Sequence, residues 1–168
     1  MSERTHPNHE ARAESPAGAH ATPHYLSLAA QLAISALFMY LLMFLMIDTA
    51  DHFENNLNAL YMTGAMVAPM GIAMILMMRS MFPRRWLNVG LLAGFVALYV
   101  AGIWFTRQQT FIDDRQFLRS MIPHHSGAIL MCEQADISDP EIVSLCQEAI
   151  IPSQTAEIEQ MQEILARL

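Results

Sequence analysis

Residues 57–78, LNALYMTGAMVAPMGIAMILMM, decide the fold. The stretch holds no Asp, Glu, Lys or Arg, and its length is near the roughly 20 residues that a helix needs to cross hydrocarbon. In lipid a chain must satisfy its own backbone hydrogen bonds. The run therefore reads as a transmembrane helix despite Gly64, Pro69 and Gly71, with a kink expected at Pro69. Equally uncharged runs flank it on both sides, at residues 25–47 and 86–105. Together they predict an all-α chain whose residues 25–106 form a three-helix transmembrane domain. The first run is too long for a secretory signal, follows a polar tail and lacks a small-residue cleavage site, so it is expected to be retained.

Composition agrees with a membrane class. The chain has 168 residues, of which 54% are hydrophobic and 15% charged, and the mean hydropathy is +0.28. The expected partner is a lipid bilayer. All nine positive charges are Arg and the net charge is −7, so no basic stripe exists to follow a phosphate backbone, and nucleic acid is excluded as an expected partner. Arg79, Arg84 and Arg85 crowd the link between the second and third spans, whereas Asp48, Asp51 and Glu54 occupy the link between the first and second. The positive-inside rule puts the Arg link in the cytoplasm. By alternation the N-terminus is cytoplasmic, and everything after Phe105 lies outside a bacterial inner (plasma) membrane, in the periplasm or its equivalent. Residues 1–24 mix Pro, Ser, Ala, Glu and His without periodicity and are expected to be a disordered cytoplasmic tail; His6, His9, His20 and His24 offer it a chelating alternative.

Fourteen Met residues are the oddest compositional fact. Met62, Met66, Met70 and Met74, with Met77, Met78 and Met81, fall within an arc of roughly 160° on the second span, and Met39, Met43 and Met46 within roughly 60° on the first. Two readings stand. Met is a flexible gap filler, and such a stripe is then helix packing. Thioether sulfur is also a neutral, soft donor for Cu(I) or Ag(I) that carries no charge into lipid, and the stripe is then a membrane path for a metal, with His52 among Asp48, Asp51 and Glu54 at its outer mouth. The Met-x-x-x-Met spacing resembles an element of the copper uptake channels. Gly90, Gly94, Ala97 and Ala101 recur at spacings of four, three and four on the third span and allow close helix approach, within one chain or between two.

Residues 111–168 turn amphipathic and predict a helical hairpin, about Asp113 to Asp136 and Pro140 to Leu168, with Asp139 as N-cap and Pro140 at the first helical position. Pro123 and Pro152 are expected to kink or restart the two helices. Two helices enclose little core, so the hairpin is expected to pair with a second copy into a four-helix bundle, a homodimer, or else to dock on its own membrane part. The run Met121-Ile122-Pro123-His124-His125 is the sharpest chemical feature, with Met131 and Cys132 three turns on and Gln154, Glu157 and Met161 at spacings of three and four on the second helix. These residues offer N, S and O donors to one seam. The bland alternative has the imidazoles bonded to backbone carbonyls and the methionines as core. Cys132 and Cys146 lie about equally far from the interhelix turn and are placed to form a disulfide, or, reduced, to add thiolates beside Met131.

The segments FLRSMIPHHSGAILMCEQA and DPEIVSLCQEAIIPSQTAEIEQM resemble the domain-of-unknown-function family numbered 305, over about residues 113–168, and three spans before one hairpin is similar to a membrane-anchored subset of it. The resemblance implies a ferritin-like helical bundle. Some periplasmic members of that family are implicated in binding copper or silver through Met and His, which implies such roles for Met121, His124, His125, Met131 and Met161, and for Gln154 and Glu157. Copper or silver ion is therefore the expected cofactor. The expected function is membrane-anchored metal sequestration, resistance or hand-over, with periplasmic copper-handling proteins as partners. The alternative is a non-metal interaction or sensor module that dimerises through the outer hairpin. No Ser-His-Asp arrangement, phosphate loop or Glu-x-x-His motif appears, so no enzymatic activity is expected.

Overall fold

The computed structural model describes residues 21–168, which are mostly helical with no strand among them. The readings of His6, His9 and His20 fall outside the described residues. Helix α1 spans Ala21–Leu42, α2 Leu57–Met77 and α3 Arg85–Gln108; all three are long and apolar enough to cross a membrane. Outside them, α4 spans Asp114–Gln134, followed by α5 at Pro140–Ser144, a π-helical segment at Leu145–Ile150 and α6 at Ile151–Arg167.

The first span ends earlier than its apolar run. After Leu42 the chain tightens into turns, in which Phe44 N–H donates to Leu41 O and Leu45 N–H to Leu42 O. The helical part from His24 still covers 19 residues, about 28 Å at 1.5 Å per residue, enough for the hydrocarbon core. The turns continue to a 3₁₀ turn at Ala50–His52, and α2 begins at Asn56, whose side chain accepts from Ala59 N–H. Helix α2 runs unbroken through Pro69 and is the central element, packed against α1 on one side and α3 on the other. The apolar centre joins Leu28, Leu32, Val67, Ile75 and Phe82, with Met39, Met70, Met74 and Phe95 against it.

Glycine placement shows where α2 and α3 come together within the chain. A Cβ on Gly102 would lie 2.9 Å from Tyr61 O, and one on Gly71 would sit 2.6 Å from the Phe95 ring, so these are the close approaches between α2 and α3. Gly90 and Gly94 have nothing within 4 Å of a Cβ and leave their side of α3 open.

The hairpin forms as expected at its turn. Asp139 accepts from Glu141 and Ile142 N–H, Pro140 takes the first helical position, and Cys132 and Cys146 are joined in a disulfide. Pro152 has no N–H to return to the Glu148 carbonyl, and the turn before it widens to π spacing, with Ile151 N–H reaching back to Cys146 O. Helix α4 continues through Pro123 without a restart. Its core is separate from that of the spans: Leu118, Ile122, Ile129, Ile158 and Met161 pack between α4 and α6.

Within one chain the hairpin docks on the membrane part. One stripe of α4 meets the α1–α2 link and the head of α2: Gln116 Oε1 accepts from Leu57 N–H at 2.9 Å, Ser126 Oγ accepts from Asp48 N–H at 2.7 Å, and Arg119 pairs with Glu54 at 3.5 Å. The α1–α2 link and the hairpin therefore lie on the same side of the spans, as the charge distribution predicted.

Gly102→Ala is expected to lower the thermal midpoint of the detergent-solubilised protein, because the added methyl meets backbone; overpacking of this kind costs about 1–3 kcal/mol. Gly90→Ala is expected to leave the midpoint unchanged or raise it, Ala being the better helix former by about 1 kcal/mol. Equal losses from both would refute this α2–α3 packing.

Candidate functional site

The α4 dock leaves an open-sided cavity of about 490 Å³ between the hairpin and the hairpin-facing ends of the spans. Met43 and Met46 reach it from the turns after α1, Met62 from the second turn of α2, and Met121, His124 and Met131 from α4. The α4 residues come at spacings of three and seven, which puts them on one face of the helix. Gly127 lets that face come close: a Cβ there would stand 3.3 Å from Met46 O.

Polar residues at the rim satisfy one another. Asn58 donates to Gln109 Oε1 and to Ser120 Oγ, both at 3.1 Å, and Gln109 donates back to Asn58 Oδ1. Ser120 donates to Gln116 O, and Thr106 to Gly102 O. Asn56 gives one N–H to Glu54 O and one to Arg119 O. His124, by contrast, makes no hydrogen bond to the described residues through either ring nitrogen; its ring meets that of His125 edge to face. The donors left free in the cavity are five thioethers and one imidazole. No carboxylate lines it.

The adjacent imidazoles do not converge. Successive helical residues point about 100° apart, and His125 turns away from the cavity into the α4–α6 seam. Only 8% exposed, it bonds through Nδ1 to Met121 O at 2.9 Å and through Nε2 to Glu157 Oε2 at 2.8 Å. Both partners accept, so the pair holds its two bonds with a proton on each ring nitrogen or with the proton on Glu157. This is the bland reading of the His pair, realised for one of its two members.

The other expected donors separate in the same way. Met161 is buried in the hairpin core, and Gln154 and Glu157 stay on α6 outside the cavity. Cys132 is half of the disulfide and has no thiol to give, which removes it from the donor set. In the membrane, Met39, Met70 and Met74 pack against the apolar centre, while Met66 is exposed on α2, so the expected path divides after Met62. His52 lies 2.8 Å from Ser126 Oγ through Nδ1 and serves the dock. Among the described residues no three His, Cys, Asp or Glu side chains gather where a harder metal would need them. The sequence reading missed Ser126, Asn58, Gln109 and Gln116, since their contacts join positions 50 or more residues apart and leave no periodic trace.

Comparison with known proteins places the hairpin. The sequence profile described as Domain of unknown function (DUF305) matches residues 106–165. The chain is a DUF305 protein. It is also 36% identical over 112 residues to an uncharacterized protein of Acanthamoeba polyphaga mimivirus, covering 66% of this chain and 71% of that one. That alignment is longer than the DUF305 segment and so reaches into the residues before it. No solved structure matches the chain. The DUF305 residues thus supply both the α4–α6 core and the hairpin half of the cavity.

His125→Ala is expected to destabilise the hairpin by about 2 kcal/mol, because it removes two bonds from a buried ring, one of them to a carboxylate. His124→Ala is expected to stay within about 0.5 kcal/mol of the parent, as an exposed side chain without a hydrogen bond. Denaturant unfolding of the full chain followed by circular dichroism checks the pair; equal effects would contradict the division of the two imidazoles.

Proposed function

We propose that the chain is a membrane-anchored protein that holds a soft monovalent cation, copper(I) or silver(I), at the outer face of a bacterial inner membrane, for sequestration, resistance or hand-over to a periplasmic copper-handling partner. The N-terminus is then cytoplasmic and the DUF305 hairpin periplasmic. The carrying observation is the cavity whose free donors are the thioethers of Met43, Met46, Met62, Met121 and Met131 and the imidazole of His124. Thioethers are soft and uncharged, and copper(I) and silver(I) accept two to four such donors without the geometric demands of a divalent ion. A neutral donor set at the membrane boundary also avoids burying carboxylates that a divalent cation would favour. Asp48, Asp51 and Glu54 on the adjoining link raise the local concentration of cations.

Supporting this reading, the polar rim is already satisfied, so a neutral hydrogen-bonding ligand finds few free partners. The homodimer remains part of the proposal, with the second copy meeting a face of the hairpin that the intramolecular dock leaves open. The rival is a metal-independent interaction module, and it treats the same methionines as packing.

Competitive titration of copper(I) and silver(I) against the detergent-solubilised full chain separates the two. The parent is expected to bind, and His124→Ala combined with Met121→Leu to bind at least tenfold more weakly, a loss of about 1.4 kcal/mol or more. Zinc(II) is expected to compete poorly. No binding by the parent, or equal binding by parent and variant, would hand the site to the rival reading.

A further inference from the structure

We propose that the soft cation locks the outer hairpin onto the membrane-spanning part, so that occupancy of the cavity sets the hairpin's position; this rests on the metal reading above. The first ground is the ownership of the donors. Met43, Met46 and Met62 belong to the membrane part, and Met121, His124 and Met131 to the hairpin. A cation bound by donors from both bodies binds the docked state more tightly than any undocked one. Linkage then requires that it shift the equilibrium toward docking by the ratio of its affinities for the two states.

The second ground is that the two bodies have separate apolar cores. Leu118, Ile122 and Ile158 close one within the hairpin, and Val67 and Ile75 close the other among the spans, with no buried residue shared. What joins them is a polar seam: Ser126 Oγ against Asp48 N–H and His52 Nδ1, Gln116 against Leu57 N–H, and the Arg119–Glu54 pair. Water satisfies each of these groups as well when the seam parts, so the hairpin leaves without exposing its core. The third ground is the connection. Gln109 and Phe111, neither of them glycine, hold φ of 50° and 59° in the link between α3 and α4, a left-handed conformation that L side chains rarely adopt. Bonds to α2 anchor that strained link on the membrane side, Gln109 to Asn58 and Thr110 O to Tyr61 OH, so a displaced hairpin pivots about it.

Hydrogen–deuterium exchange of the full chain in nanodiscs, with and without silver nitrate, tests the lock. Silver is expected to slow exchange at least fivefold at residues 48–58 and 116–127. Ser126→Ala and His52→Ala are each expected to speed exchange there without silver and to weaken silver binding at least fivefold, although neither side chain is a cavity donor. His124→Ala is expected to keep the parent's exchange without silver and to lose the silver protection. If Ser126→Ala loses helix content, His52→Ala alone decides, since it sits on the link outside both cores. Silver that binds the parent without slowing exchange, or binds both dock variants as tightly as the parent, overturns the lock while leaving the metal reading standing. Failure of the parent to bind silver at all overturns both.

Discussion

Pro123 has no N–H to offer the carbonyl of Arg119, and that gap in α4 is one of the places where the hairpin meets the head of α2. The Asn56 side chain, which also caps α2, donates to the Arg119 oxygen. One residue thus ends a helical ladder in the membrane part and satisfies an orphan in the outer one. The rest of the dock follows from the rotation this contact fixes. With Arg119 facing the cap, positions 116, 120, 123, 126 and 127 line up along the same side of α4, and each meets a partner or a close approach on the α1–α2 link, the head of α2 or the rim. The same rotation sends His124 toward the cavity and His125 toward α6. A helix turned by half a residue would offer neither a free imidazole to the thioethers nor a buried one to Glu157.

The methionines divide by the same geometry. Met39, Met70 and Met74 pack against the apolar centre and serve as adaptable fill between α1 and α2. Met43, Met46 and Met62 line the cavity instead, because α1 stops at Leu42 and the chain turns away before α2 begins. The space left by that early stop is the membrane half of the cavity. A first helix running to Ile47 would fill it. A single compositional excess therefore has two physical roles, and the stripe on α2 changes role between Met62 and Met70.

How much of this was legible in the sequence varies with the range of the forces involved. Uncharged runs and the Asp139–Pro140 start depend on neighbours along the chain and read correctly from composition and spacing, whereas the placing of Cys132 and Cys146 about one turn left disulfide and free thiols both open, and the structure joins them. The end of α1 was misplaced by a few residues because Met43 to Ile47 are as apolar as what precedes them, and hydropathy does not distinguish a helix from apolar turns that bond i to i+3. Gly90, Gly94, Ala97 and Ala101 mark a permissive face of α3 without saying what meets it; within the chain α2 comes close at Gly102, and Gly90 and Gly94 stay open. The cavity itself was half legible. His124, Met121 and Met131 were expected as donors and Met43 and Met62 as part of a path, but nothing in either pattern joined the two sets. Their meeting depends on Ser126, Gln116 and Asn58, whose hydrogen bonds span 59 to 78 residues with partners at Leu57, Ser120 and Asp48.

Separating the two imidazoles also decides which chemistry the site suits. Two histidines on one metal, with Glu157 and Gln154 beside them, would make a nitrogen and oxygen set suited to zinc or copper(II). The fold spends His125 on Glu157 and ties Cys146 to Cys132, while Gln154 stays on α6 outside the cavity, so the donors that face the cavity are His124 and the thioethers. The donor set of the cavity thus depends as much on the side chains the helices withdraw as on those they present, and the withdrawal is enforced by the His125–Glu157 hydrogen bond and a covalent bond that belong to the hairpin's own stability.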